Sequence, residues 1–397
     1  MQKNLFLSGR NQRLSMFWDK QYGPPVFANT MPRERFKLIL RYFRFDERNS
    51  RARRRQRDRY APIRELWESV MTNCSNAFIP HGSLTIDEQL FSCKSRCAFI
   101  QYMPMKPGKF GIKYWLICDA QTNYVLNAIP YVGKDEQRPD DRGLSDHVTL
   151  SLAKPYFGSG MNITTDNFFT NLKVAKELEA NKLTMVGTVR ANRREIPSEL
   201  KTWGHSASLY SSDFYFTDTA MLVGYKAKKN KTVFLLTTLH SQPTIESSDT
   251  KRRPVSILDY NKQKGGVDTA DQMLRGYSTK SPCRRWPMSA FFNLLDIVAL
   301  NSYVICKDLE INTNDRYNFL LSLGEALCFL LLEQRKSTPG VLQLRDGKEN
   351  SATAPAIPKN RTYCKCCMKN KTRIFCMNCK NFVCGTCSHV VCKNCAI

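Results

Sequence analysis

Four Cys-x-x-Cys pairs close the chain: Cys364/Cys367, Cys376/Cys379, Cys384/Cys387 and Cys392/Cys395, all within 32 residues. A segment so short cannot bury a core of its own, so its fold has to come from what the sulfurs bind. Each pair bends the chain so that both sulfurs reach one tetrahedral Zn2+, and two pairs complete a four-cysteine site. Four pairs therefore suffice for two structural zinc ions. The gaps between successive pairs are eight, four and four residues. That suits an interleaved cross-brace, with pairs one and three on one metal and pairs two and four on the other. A sequential pairing fits the spacing as well. His389 can stand in for Cys387 as a ligand, and Cys366, adjacent to Cys367, is left out. Metal binding is expected to supply most of the folding free energy, on the order of 10 kcal/mol per site. From Tyr363 onward there are six Lys/Arg and no acid, which offsets the charge of zinc thiolates.

Nine of the 16 cysteines lie in this tail, and Met1-Gln2-Lys3-Asn4-Leu5 lacks the basic-then-apolar pattern of a signal peptide. Reduced thiols and metal ligands are expected rather than disulfides, in an intracellular protein. With 397 residues, 42% hydrophobic and 11% aromatic, the chain has the makings of a globular protein of two or three domains. Lys and Arg number 60 against 35 acids, a formal charge of +25. Such an excess implies a polyanionic partner, with nucleic acid ahead of anionic membrane. No run of 18 apolar residues occurs, so no membrane span is expected. Six arginines fall in the nine residues from Arg51 to Arg59. Arg53, Arg54, Arg55 and Arg57 are the candidate DNA contacts there, because a guanidinium matches phosphate geometry. A solvated loop or a nuclear-import signal reads the same way.

The texture along the chain suggests an α/β protein. Residues 1–80 look mainly helical, and from Leu84 to Arg190 strands alternate with helices, with acids at strand ends. Residues 191–254 lean towards β structure, clearest at Thr232–Thr238. A helix from about Ser289 to Cys306 places Phe291, Leu294, Leu295 and Val298 on a core-like face, and a second core-like helix spans about Phe319–Leu332. Residues 336–362, rich in Pro, Ser, Thr, Ala and Lys, form a linker.

Between these helices and the β-leaning segment lies Lys264-Gly265-Gly266-Val267-Asp268-Thr269-Ala270-Asp271-Gln272-Met273. A helix starting near Val267 would put Asp268 and Asp271 on one face of its first turn, as capping acids or as a cation site. Asp87 in the first strand and Asp166 at the end of a later strand are the other acids that stand out by position. Phosphodiester cleavage with two Mg2+ ions needs several such acids around hard, oxygen-liganded metal. Clustered carboxylates repel one another and stay ionised only beside a cation.

The segments Leu84-Thr85-Ile86-Asp87-Glu88-Gln89-Leu90, Asn162 to Thr170, Val186-Gly187-Thr188-Val189-Arg190 and Tyr260 to Asp268 closely resemble the piggyBac transposase family. Arg285-Trp286-Pro287-Met288 and the cysteine-rich tail are similar to the same family. The resemblance runs in order from about residue 30 to the end, on a chain that is N-terminally short against the family. It implies an RNase H-like catalytic core (81–190 and 255–335) interrupted by a β-rich insertion domain (191–254). A partial helical dimerisation and DNA-binding domain (1–80) precedes the core, and a linker and a cross-brace zinc domain (363–397) follow. It implies a DDD acid set of Asp87, Asp166 and Asp268 holding Mg2+, with Asp271 as a further family aspartate, and Arg285 and Trp286 as DNA-binding residues. The implied activity is metal-dependent cut-and-paste transposition at TTAA sites through hairpinned ends, by a homodimer on double-stranded DNA in the nucleus. The zinc tail would recognise transposon ends. The alternative is a domesticated or truncated transposase-derived protein that binds DNA or chromatin without catalysis. A third reading takes the tail for a ubiquitin-ligase or histone-reader module.

Overall fold

In the computed structural model, which describes residues 14–19, 21–133, 138–139, 141–311, 315–336, 362–372 and 381–387, the early helical expectation holds. Four helices, α1 (Pro25–Thr30), α2 (Arg33–Tyr42), α3 (Arg48–Arg57) and α4 (Arg64–Asn76), precede the first strand. The arginine run is helical rather than a loop: it forms α3. The apolar and β-branched run that follows forms β1 (Ser83–Ser92), the middle of a mixed sheet. A short β2 (Gln101–Tyr102) pairs the start of β3 (Phe110–Asp119), and β3 runs antiparallel to β1 and to β4 (Val125–Pro130). On its other side β1 runs parallel to β5 (Asn162–Thr165), which runs parallel to β6 (Thr184–Val189). Three antiparallel strands followed by two parallel ones, in the order β4-β3-β1-β5-β6, make the RNase H-like core.

Helices α5 (Leu144–Ala153) and α6 (Leu172–Ala180) connect these strands. The 191–254 segment supplies α7 (Ser198–Ser206) and the strands β7 (Ser212–Phe216), β8 (Met221–Lys228) and β9 (Lys231–Thr237). It is β-rich as expected, and β9 pairs antiparallel with β6, so its strands extend the same sheet. The physical gain is that β6 no longer presents an open edge. The core gathers on this sheet. Trp67 of α4 stacks on Tyr114 of β3 at 4.7 Å and donates from Nε1 to the Ala128 carbonyl of β4 at 2.7 Å.

After β9 come α8 (Val255–Gln263), α9 (Gly266–Gly276), α10 (Trp286–Asp308) and α11 (Arg316–Lys336). α10 is long and apolar enough to cross a membrane by length and composition, yet most of it is buried inside the protein as a core helix. Its expected face is partly borne out: Leu294 is sealed and Phe291 packs on the core, but Val298 is exposed and Ala290, Ile297 and Leu300 are sealed instead. Buried Asn293, Asp296 and Asn301 share the sealed side, so apolar periodicity finds only part of it. Asn301 completes a pair of bonds with the Val125 backbone at 2.8 and 2.9 Å. α11 also departs from its core-like reading. Leu320 and Cys328 are buried, but Leu327, Phe329 and Leu330 are exposed.

The chain divides into two compact units, residues 1–333 and 334–397. In the second, β10 (Thr362–Tyr363) and β11 (Lys371–Thr372) form a small hairpin.

Candidate active site and metal centre

The parallel register of β1 and β5 sets Asp87 beside Asp166. Ser83 pairs with Asn162 and Ile86 with Thr165, so the next residue on each line is an aspartate, on neighbouring strands about 4.8 Å apart. Asp166 opens the loop after β5. Its Oδ1 accepts from the Phe168 N–H at 2.8 Å, and its carbonyl accepts from the Thr170 hydroxyl at 2.7 Å. Phe168 then stacks on Trp115 at 5.4 Å, and Lys113 lies 3.7 Å above the same indole. Gly187 of β6 makes this loop fit. A Cβ there would lie 2.1 Å from Thr170 Oγ1 and 2.7 Å from Thr165 Oγ1. Gly187→Ala is therefore expected to cost about 1–3 kcal/mol by overpacking, read as a lower urea midpoint. An unchanged midpoint would mean the loop is not held this way.

Asp268 comes from the opposite side, in the first turn of α9. A Cβ on Gly266 would lie 2.9 Å from Thr85 Oγ1, and that hydroxyl donates to the Gln263 carbonyl at 2.9 Å. The missing side chain lets the helix start seat on β1. Lys106, in the turn between β2 and β3, ties the two sides together. Its Nζ lies 3.4 Å from Asp268 Oδ1 and 3.3 Å from the Glu88 carbonyl. Nothing in the sequence flagged Lys106, because a turn lysine carries no periodic signal.

The electrostatics mark this as one site. Burial first, and then the charges of Glu88, Asp166 and Asp268, push Asp87 up to about 7. Burial also raises Asp166, with Glu88 adding to it against the Phe168 N–H. Burial opposes the charge of Lys106, yet Asp268, Glu88 and Asp87 together hold it above the usual lysine range. The acids are short of positive charge, and their all-oxygen donor set suits a hard divalent cation. Asp271, one turn on from Asp268, is buried and turns to its own helix, 3.2 Å from Arg275.

Among the described residues, the one group of metal-ligand atoms lying within 4.8 Å of one another is Cys364, Cys367, Cys384 and Cys387. These are the first and third Cys-x-x-Cys pairs, together as an interleaved order would have them, with Cys387 in the set. The Cys367 and Cys384 sulfurs lie 3.7 Å apart, close to the roughly 3.8 Å edge of a tetrahedron with Zn–S bonds of about 2.3 Å. The Asn370 amide points at Cys384 Sγ at 3.5 Å and lowers its thiol pKa. Cys376, Cys379, His389, Cys392 and Cys395 lie outside the described residues.

The basic candidates divide. Arg53, Arg55 and Arg57 are exposed on α3, whereas Arg54 is half-buried and bonds Asp46 at 2.8 Å and the Ala61 carbonyl at 3.0 Å. Arg285 donates to the carbonyls of Leu40, Arg41 and Phe43, closing the end of α2. Trp286 is 8% exposed and packs against Tyr60 and Phe99. That is a packing position, and the sequence had no means of separating it from an interface aromatic.

A family model described as Transposase IS4 matches residues 5–303. The PiggyBac transposable element-derived protein 3 of Homo sapiens is 23% identical over 328 residues, covering 77% of this chain and 54% of that protein. The human PiggyBac transposable element-derived protein 2 is 24% identical over 370 residues, 84% of this chain and 58% of that protein. The chain thus spans about half the length of the curated relatives it matches. Among solved structures, a cryo-EM structure of a piggyBac transposase synaptic complex with hairpin DNA aligns with a TM-score of 0.80. The two are 31% identical, over 99% of this chain and 86% of that one.

Proposed function

Since the chain belongs to the piggyBac transposase family, we propose that it cuts and rejoins DNA strands through Asp87, Asp166 and Asp268. The observation that carries this reading is the register: adjacent parallel strands deliver two aspartates side by side, and a helix start brings a third within their field. These carboxylates would hold Mg2+, two ions by the chemistry of the reaction. Bound there, the metal would activate the attacking hydroxyl and stabilise the leaving oxygen. Asp87, with its pKa near 7, keeps a share of its proton at neutral pH until positive charge arrives. Lys106, 3.4 Å from Asp268 Oδ1, ties Asp268 to the β1 side. Asp271 acts on α9 through Arg275, as a positioning residue. The four-cysteine cluster would hold a structural Zn2+, with a second ion on the other two pairs. TTAA targets, hairpinned ends, action as a homodimer on double-stranded DNA and a nuclear location belong to the same proposal.

An excision assay on a reporter carrying TTAA-flanked transposon ends tests it, with Mg2+ supplied. Asp268→Asn is expected to lower excision by at least about a thousand-fold, the scale of several kcal/mol of lost transition-state stabilisation. Excision that survives Asp268→Asn would exclude Asp268 from the chemistry.

A further inference from the structure

A cation already stands among the acids of the site, and the backbone puts it there. Lys106 lies in the turn between β2 and β3. The Met103 N–H donates to the Lys109 carbonyl at 2.7 Å, the Lys106 N–H to the Met103 carbonyl at 3.1 Å, and the Lys109 N–H to the Lys106 carbonyl at 3.0 Å. Pro104 and Pro107 lie on either side of the lysine and fix φ at two more positions of the turn. From there the ammonium reaches Asp268 Oδ1 at 3.4 Å, the Glu88 carbonyl at 3.3 Å and Glu88 Oε1 at 3.8 Å. Glu88 has a second cation, Lys113, 3.6 Å from its Oε2. Among the described residues, Lys106 is the cation paired with Asp268.

The carboxylate that Lys106 holds is one that a metal ion would use. An ammonium beside it and a divalent ion bound to it repel each other. One positive charge lessens the mutual repulsion of Asp87, Asp166 and Asp268 without ending it. The contact is also one that can be exchanged. Asp268 is 66% exposed and the pair is loose at 3.4 Å, so water screens it. Lysine is a point charge on a flexible stem, served as well by a phosphate oxygen as by a carboxylate.

We propose that Lys106 is a place-holding cation: in the DNA-free protein it opposes Mg2+ at Asp268, and a DNA phosphate arriving at the site draws its ammonium away. DNA then favours metal loading, and by linkage the metal-loaded protein binds DNA more tightly. The inference rests on the acid-site reading above and adds an order to the assembly of that site.

Isothermal titration calorimetry of the full chain with MgCl2, first without DNA, tests it. Lys106→Met removes the charge and keeps the stem, and is expected to tighten Mg2+ binding by about tenfold or more. Lys106→Gln should follow it, and Lys106→Arg should stay within about threefold of wild type. Lys113→Met removes a charge paired with Glu88 and not with Asp268, and should also stay within about threefold. A saturating TTAA duplex without transposon ends is expected to shrink the gap between wild type and Lys106→Met to within about threefold. Unchanged affinity in Lys106→Met and Lys106→Gln, or an equal gain in Lys113→Met, overturns the place-holder. A gap that persists on the duplex overturns the exchange. Either result leaves the acid-site reading standing where Asp268→Asn removes the wild-type Mg2+ heat. Mg2+ that binds neither wild type nor the Lys106 variants, with or without the duplex, overturns the acid-site reading as well.

Discussion

Asp87→Asn is expected to raise the melting temperature of the metal-free protein at pH 8 while removing strand cleavage. The sign follows from linkage. Asp87 has a folded pKa of about 7, against about 3.9 for an unfolded aspartate, so the folded state binds the extra proton between those values. Stability therefore falls as pH rises through that window, and above pH 7 the full penalty of the ionised carboxylate is present. Asparagine has no such charge. Discounted for solvent screening at a half-buried site, the gain is about 1 kcal/mol, or about 2–4 °C in a unit of this size. At about pH 4, near the unfolded value, the two proteins should melt together. Mg2+ should then raise the wild-type melting temperature at pH 8 and leave the variant unmoved. Cleavage should drop by at least about a thousand-fold. Scanning calorimetry at the two pH values reads the first effect, and a variant that melts lower at pH 8 would show that the crowding of Glu88, Asp166 and Asp268 around Asp87 is not a net repulsion.

Cys384→Ser is expected to unfold the small hairpin and four-cysteine cluster of residues 362–372 and 381–387 and leave residues 1–333 intact. Cys384 and Val383 are buried in a core consisting mostly of the metal-ligand cysteines themselves. With so little apolar surface, metal binding is the folding free energy, about 10 kcal/mol or more for a structural zinc. Serine leaves three thiolates and an open coordination position. The variant should lose one equivalent of zinc by elemental analysis, and trypsin should cut at Lys365, Lys369 and Lys371, which wild type protects when loaded. The main thermal transition, from the 1–333 unit, should stay where it is. Full zinc content with protection kept would remove Cys384 from the ligand set.

Much of this was legible in the chain because the signals were local. β-branched runs ending in aspartate announced β1 and β5, and cysteine spacing announced a metal site, while the choice between interleaved and sequential pairing came only with the convergence of Cys364, Cys367, Cys384 and Cys387. What escaped depended on distant partners. Asp271 is buried beside Gln89 of β1, a partner 182 positions away that the sequence did not announce, as well as near Arg275 on its own helix. Trp286 sits between Tyr60 and Phe99, contacts that join three remote segments. The buried face of α10 was only partly found because Asn293, Asp296 and Asn301 turn inward to bond the Gln89 side chain, the Ser278 and Thr279 loop and the Val125 backbone. The strands of 191–254 were visible as strands, but nothing within them told which sheet edge they would cover.

The bond from Thr85 to Gln263 spans 178 residues, and the one from Gln89 to Asn293 spans 204. β1 therefore leaves the ribosome long before α9, which packs on it and carries Asp268. At about 5–20 residues per second this gap lasts roughly ten to forty seconds. A half-made copy carries Asp87 and Asp166 but not the helix start that faces them. On the proposed function, a chain able to break the genome that encodes it stays harmless through that interval, because its cutting site closes only when segments made far apart in time meet.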